Sequence, residues 1–177
     1  DWKVRKNMEA GRGELGMKII HFRQAFHGRS GYTLSLTNTS DPRKTMYFPM
    51  FDWPRIDNPK LFFPITDAVL AAVKVKEKQA MEQIKSVIQD HPQDIAAIII
   101  EPIQGEGGDN HFRDEFITSL RQVCDENEMM FIMDEVQTGI GITGKWWAHE
   151  HFTSKPDIIA FGKKAQICGM LAGNRVD

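Results

Sequence analysis

The chain is short of cysteine, net charge and long apolar runs. It has two cysteines, Cys124 and Cys168, in 177 residues. That is too few for a disulfide framework, so a reducing, cytoplasmic setting is the default expectation. Its 22 lysines and arginines stand against 24 aspartates and glutamates, a formal charge of −2. Such a balance offers no electrostatic footprint for nucleic acid and no basic face for an anionic membrane. No apolar stretch approaches the ~20 residues of a transmembrane helix, and there is no internal repeat or low-complexity tract. The chain also lacks an initiating Met and a signal-peptide pattern. It opens on DWKVRK, which reads as the tail of a helix, and closes on GNRVD without a stop signal, so a piece of a longer polypeptide is expected.

What is present is a globular pattern of alternating elements. Residues 1–8 read as a helix end, and the Gly-rich GRGELG as a flexible connection. MKIIHF (17–22) reads as a buried strand. Residues 40–65 combine five prolines with Tyr47, Phe48, Phe51, Trp53, Phe62 and Phe63. The prolines argue against regular structure and the aromatics against disorder, which predicts a long ordered loop on the surface or against a partner subunit. Apolar residues recur near a 3.6 period over 66–89 and again over 114–126, predicting two amphipathic helices. Residues 146–151 read as a short helix. IAAIII (95–100), the run 129–133 and the run 158–161 are continuously apolar, as strands covered on both faces are. Strand alternating with helix predicts an α/β fold with a mainly parallel sheet and helices on both faces.

Two of these strands stop at an ionisable group. Asp134 follows FIM, and Lys163 follows the FG of PDIIAFGKK. Open parallel sheets bind ligands at the carboxyl ends of their strands. A half-buried carboxylate there needs a cation nearby. No His or Cys stands at ligand spacing around Asp134, so no metal is expected. A ring nitrogen that carries a proton would serve, at about 4 kcal/mol before desolvation for a ~4 Å separation. Desolvation of Lys163 would favour the neutral amine that Schiff-base chemistry needs. An acid for a pyridinium nitrogen and a nucleophilic lysine are the protein half of pyridoxal-phosphate chemistry. GEGGD lacks the GK[ST] ending of a phosphate-cradling loop, and His149-Glu150-His151 lacks the HExxH spacing of a zinc site.

Four motifs in order, AFHGR, EPIQGEGG, DEVQTG and PDI-x-x-x-GK, resemble the class III pyridoxal-phosphate-dependent aminotransferases over about residues 24–173. Within that family, FHGRSGYTLSLTNT, FPMFDWPRI, EPIQGEGGDNHFR and AFGKKAQICGMLAGNRVD are most similar to the lysine 6-aminotransferase branch. The resemblance implies a fold type I large domain and pyridoxal 5'-phosphate bound as a Schiff base on Lys163, with Lys164 its non-bonded neighbour. It further implies Asp134 at the pyridine nitrogen, Val136 and Phe26 on the two ring faces, Gln137 at the phenolic oxygen and His27 among the cofactor-binding residues. Arg29 matches an arginine that grips the substrate carboxylate. Glu106 matches a glutamate that pairs with an arginine further along the family's chain, so that one pocket accepts first a cationic diamine and then a dicarboxylate. Read singly, Phe26 would be core, Arg29 a solvated charge and Glu106 a loop residue.

The implied reaction moves the ε-amino group of L-lysine to 2-oxoglutarate in a ping-pong exchange, giving 2-aminoadipate 6-semialdehyde and L-glutamate, in a homodimer. Ornithine, acetylornithine or 4-aminobutyrate as donor is the alternative, and an inactive assembly module is another. Many class III members read GFGRTG where this chain has Ile142 in GIGITG, and KALGGG where it has KKAQICG. Both departures favour the lysine branch. The expected extent is a partial large domain over 1–177, with the phosphate-cup segment and the small C-terminal domain outside it and the isolated fragment inactive.

Overall fold

A computed structural model describes residues 1–176. Its elements run in chain order as α1 (Trp2–Glu9), β1 (Lys18–Phe22), α2 (Thr33–Leu36), β2 (Arg55–Ile56), α3 (Asp67–Asp90), β3 (Ile95–Ile100), β4 (Ile103–Gln104), β5 (Asn110–His111), α4 (Asp114–Glu126), β6 (Met130–Asp134), β7 (Ile158–Phe161) and β8 (Gly169–Ala172). Short 3-10 turns stand at Pro42–Lys44, Ala148–His151, Lys163–Ala165 and Asn174–Val176. The main sheet has the order β2-β1-β3-β6-β7-β8. Its pairs are parallel except β7 with β8, and β4 and β5 form a separate antiparallel pair. The expected α/β fold is therefore present, with one antiparallel edge.

Local chemistry explains the two long helices. Thr66 caps α3 by accepting the Val69 N–H, and Asp67 complements the positive helix end in the first turn. The helix buries Val73, Glu77, Ala80 and Ile84, a stripe at helical spacing. In α4 the stripe is Phe116, Ile117, Leu120, Val123 and Cys124. Both stripes pack on one sheet face, against Ile20, Phe22, Ile98, Ile100, Phe131 and Met133. Burying each large side chain contributes about 1.5–3 kcal/mol, so this face holds most of the core.

Three local readings differ from expectation. The short helix over 146–151 is only a 3-10 turn, because the Glu135 carboxylate captures the N–H groups of Ala148 and His149. Asp134 is the last residue inside β6 rather than the first one after it. β8 carried no sequence signal: all four residues are exposed, so the alternation that marks a half-buried strand is missing. The Pro-rich stretch does form an ordered surface loop, in which Tyr32, Phe51 and Trp53 stack face to face at 5.1 Å spacings. Among the described residues no helix is long and apolar enough to cross a membrane.

Asp157 sets the start of the β6–β7 pair. Its backbone N–H donates to the Phe131 carbonyl at 2.8 Å, and its carboxylate accepts the Phe131 N–H at 2.7 Å and Arg121 Nη1 at 2.8 Å. Asp157→Ala would strand a buried N–H and part of a half-buried guanidinium that Asp125 also holds. We expect a loss of about 2–3 kcal/mol, read as a lower urea midpoint. Asp157→Asn, which keeps one acceptor, should lose less.

Candidate active site

Because β1, β3, β6 and β7 are parallel, their carboxyl ends share one edge of the sheet. Phe26 and His27 follow β1, Glu101 follows β3, Asp134 closes β6, and Lys163 follows β7. A slot of about 120 Å³ opens there, lined by Phe26, His27, Gly28, Glu101, Asp134, Val136, Gln137 and Lys163. Asp134 stands opposite Ala160 in the β6–β7 register. Lys163 comes two residues after the end of β7, in a 3-10 turn, with φ at +36°, a left-handed conformation that costs a non-glycine residue energy. From there its amine donates to Gln137 Oε1 at 3.0 Å.

Each oxygen of the Asp134 carboxylate accepts one hydrogen bond or ion-pair contact, which leaves acceptor capacity on both. Oδ1 accepts the Val136 N–H at 3.0 Å, and Oδ2 lies 2.7 Å from His27 Nδ1. His27 is buried and its backbone N–H donates to Thr37 Oγ1. Its other ring nitrogen, Nε2, is buried with no hydrogen-bond partner among the described residues. Gly105 permits the close approach of Gln137, since a Cβ there would overlap the Gln137 amide.

Two further carboxylates shape the site, and sequence reasoning gave neither a role. Glu135 is wholly buried, with His149 Nδ1 at 2.8 Å, and accepts the backbone N–H groups of Ala148 and His149. It staples residues 148–149 to the end of β6. Glu101 is 5% exposed and accepts the Phe26 N–H at 2.8 Å, which fixes the backbone beneath the Phe26 ring. Burial pushes the Glu101 carboxyl up to about 7, against the pull of His27 and the Phe26 N–H. A carboxylate closing an apolar strand was the signal that singled out Asp134. Glu101, directly after IAAIII, has the same signal.

The structure brings six of the eight sequence-predicted residues into one slot: Phe26, His27, Asp134, Val136, Gln137 and Lys163. Arg29 does not line it and is exposed. Glu106 lies one residue beyond Gly105 and holds Lys44 and Thr39 instead. Lys164 is exposed. Among the described residues no cluster of three or more His, Cys, Asp or Glu side chains could hold a metal. The donor set fits a flat, cationic heteroaromatic ring bearing a carbonyl: an anion at one end, an amine at the other, an amide between, and an aromatic and a branched aliphatic side chain along the walls.

The chain is similar to known proteins over its whole length. Residues 2–176 match the family model described as aminotransferase class-III. The chain is 52% identical to an L-lysine-epsilon aminotransferase of Mycobacterium tuberculosis, the alignment covering 100% of this chain and 39% of the relative. It is 45% identical to one from Streptomyces clavuligerus, covering 100% and 38%. A solved structure described as lysine aminotransferase from M. tuberculosis in the internal aldimine form superposes with a TM-score of 0.95 at 51% identity, covering 100% of this chain and 40% of that one. The chain thus spans about two fifths of the length of these relatives.

The buried titratable groups predict opposed pH effects. Glu101, raised from 4.5 to about 7, contributes stability that is full below pH 4.5 and lost as pH rises through 7. His21, buried and facing Arg55, is pushed from 6.5 down to about 4. Its contribution is full above 6.5 and lost as pH falls through 4. Between those values the two slopes oppose each other. Glu101→Gln removes the first and leaves the second. Relative to the variant, the wild type should gain on the order of 3 kcal/mol on going from pH 7.5 to 4.5, measured as urea midpoints across that range. A constant difference would show that Glu101 titrates normally.

Proposed function

The chain belongs to the class-III aminotransferases, and on that basis we propose that it carries the ring-binding half of an L-lysine 6-aminotransferase. Pyridoxal 5'-phosphate is the cofactor of the family. The observation that carries the reading is the convergence of Lys163, Gln137 and the Asp134–His27 pair on one slot. Support for L-lysine as donor comes from the names of the relatives that match over the whole chain. The assignment of 2-oxoglutarate as acceptor, with 2-aminoadipate 6-semialdehyde and L-glutamate as products, rests on the motif resemblance.

When bound, pyridoxal phosphate supplies a carbonyl that takes up an amine and a ring that accepts electron density from the carbon losing a proton. The chain's own residues do the rest. Lys163 would hold the cofactor through its amine and would be the group positioned to move a proton at the reacting carbon. Gln137, 3.0 Å from that amine, is the polar group that orients it. Asp134 presents negative charge for a protonated ring nitrogen, and His27 holds that carboxylate in place from below. Val136 and Phe26, which line the slot, would exclude water from the faces of a bound ring and so strengthen these charge interactions. Glu101 ties down the Phe26 backbone.

Two measurements on the full-length protein test this. Lys163→Ala should abolish the near-visible absorbance of the bound cofactor and lower transamination by at least ~10³-fold, whereas Lys164→Ala should leave both in place. The reverse pattern would move the assignment by one residue. A donor panel should show L-lysine ahead of ornithine, acetylornithine and 4-aminobutyrate. Equal rates on all four would defeat the lysine reading.

A further inference from the structure

Among the described residues four carboxylates are buried: Glu77, Glu101, Asp134 and Glu135. Three of them meet a basic side chain. Arg113 lies 3.0 Å from Glu77, His27 2.7 Å from Asp134 and His149 2.8 Å from Glu135. Glu101 meets none: its Oε1 accepts the Phe26 backbone N–H at 2.8 Å, and no side chain donates to it among the described residues. The titratable groups that face it are His27 from the segment after β1, Asp134 from the end of β6 and Glu106 from the loop after β4. Lys163 lines the same slot, but its amine donates to Gln137. A neutral amide could accept the Phe26 N–H as a carboxylate does, so tying down that backbone does not explain an acid at this position. A buried carboxyl with no cation at hydrogen-bond distance favours its neutral form. Burial accordingly raises the Glu101 pKa to about 7, against the pull of His27 and the Phe26 N–H.

We propose that Glu101 is a positioning residue that stands in the slot as a neutral acid, leaving Asp134 as the charge presented to a protonated ring nitrogen, and that its ionisation adds a second negative charge beside the cofactor. This rests on the function proposed above, because the role is toward the cofactor of that same site. In the acid form the carbonyl oxygen goes on accepting the Phe26 N–H while the hydroxyl oxygen carries the proton. The Phe26 backbone therefore stays in place on both sides of the transition, and only the charge changes. Once ionised, Glu101 would favour every cationic form in the slot, including the protonated form of the linkage between Lys163 and the cofactor. Salt screens a charge in a buried slot only weakly.

Two measurements on the full-length protein test this. Ordinary carboxyl groups are already ionised at about pH 6. The infrared difference spectrum of the wild type between about pH 6 and about pH 8 should therefore show a carboxylic-acid C=O band giving way to carboxylate, and Glu101→Gln should lack that change. With pyridoxal phosphate bound, Glu101→Gln should still show the near-visible absorbance, but its pH midpoint should fall by about 0.5–1 pH unit relative to wild type. A residue that only held the Phe26 backbone would produce neither effect. A wild type without the infrared change, an unmoved midpoint, or a Gln variant that no longer takes up the cofactor would each overturn the proposal while leaving the enzyme's function intact. A wild-type protein that binds no pyridoxal phosphate would instead overturn the functional reading, and this inference with it.

Discussion

The site depends on the parallel pairing of β6 with β7. Met133 lies opposite Ile159 and Asp134 opposite Ala160, and the Glu135 N–H donates to the Ala160 carbonyl at 2.8 Å. In a strand, a slip of one residue turns every side chain to the other face. Such a slip would take Asp134 off the floor of the slot and exchange it with the stapling carboxylate Glu135. Asp157 prevents it from the far end of the pair, with both its backbone and its carboxylate on Phe131. An acid at one strand end and a lysine near the next are useful only because this register holds.

Polar groups in the scaffold are matched with little left over. Lys3, on the buried face of α1, donates to Gln93 and to the Asn127 carbonyl, and Arg113 holds Glu77. Among the described residues two buried side-chain atoms lack partners, Nε2 of the slot-lining His27 and Oε2 of Glu106, one residue past Gly105. Buried polar atoms are ordinarily satisfied because an unmade hydrogen bond is costly. Their concentration at one edge separates groups that build the protein from groups kept for something it binds.

Much of this was legible in the sequence because it rests on local signals. Continuous apolar runs marked β3, β6 and β7, helical periodicity marked α3 and α4, and an ionisable residue at a strand end marked Asp134 and Lys163. The motif resemblance supplied the aminotransferase family. What could not be read depends on distant partners. The strand β8 is exposed and carries no alternation. The turn at Ala148–His151 exists because of a carboxylate 13 positions earlier in the chain. The pairing of Lys44 with Glu106 spans 62 residues and leaves no local pattern. Arg29, expected at the substrate carboxylate and not at the ring, is exposed and does not line the slot.

The Glu135 staple also bears on how freely this protein can change. The loop from Gly139 to Trp147 is pinned near its root, where Gly139 donates to the Glu135 carbonyl and fits against Trp147, and just past its far end, where Ala148 and His149 meet the Glu135 carboxylate. Its tip is exposed at Ile142, while Gly141 and Gly144 hold left-handed backbone, φ +81° and +88°, that favours glycine. Anchoring of this kind decouples the loop's sequence from the geometry of Asp134 and Val136. Position 142 is therefore a place where new side chains can be tried, by evolution or by an engineer, while the chemistry beneath keeps its shape.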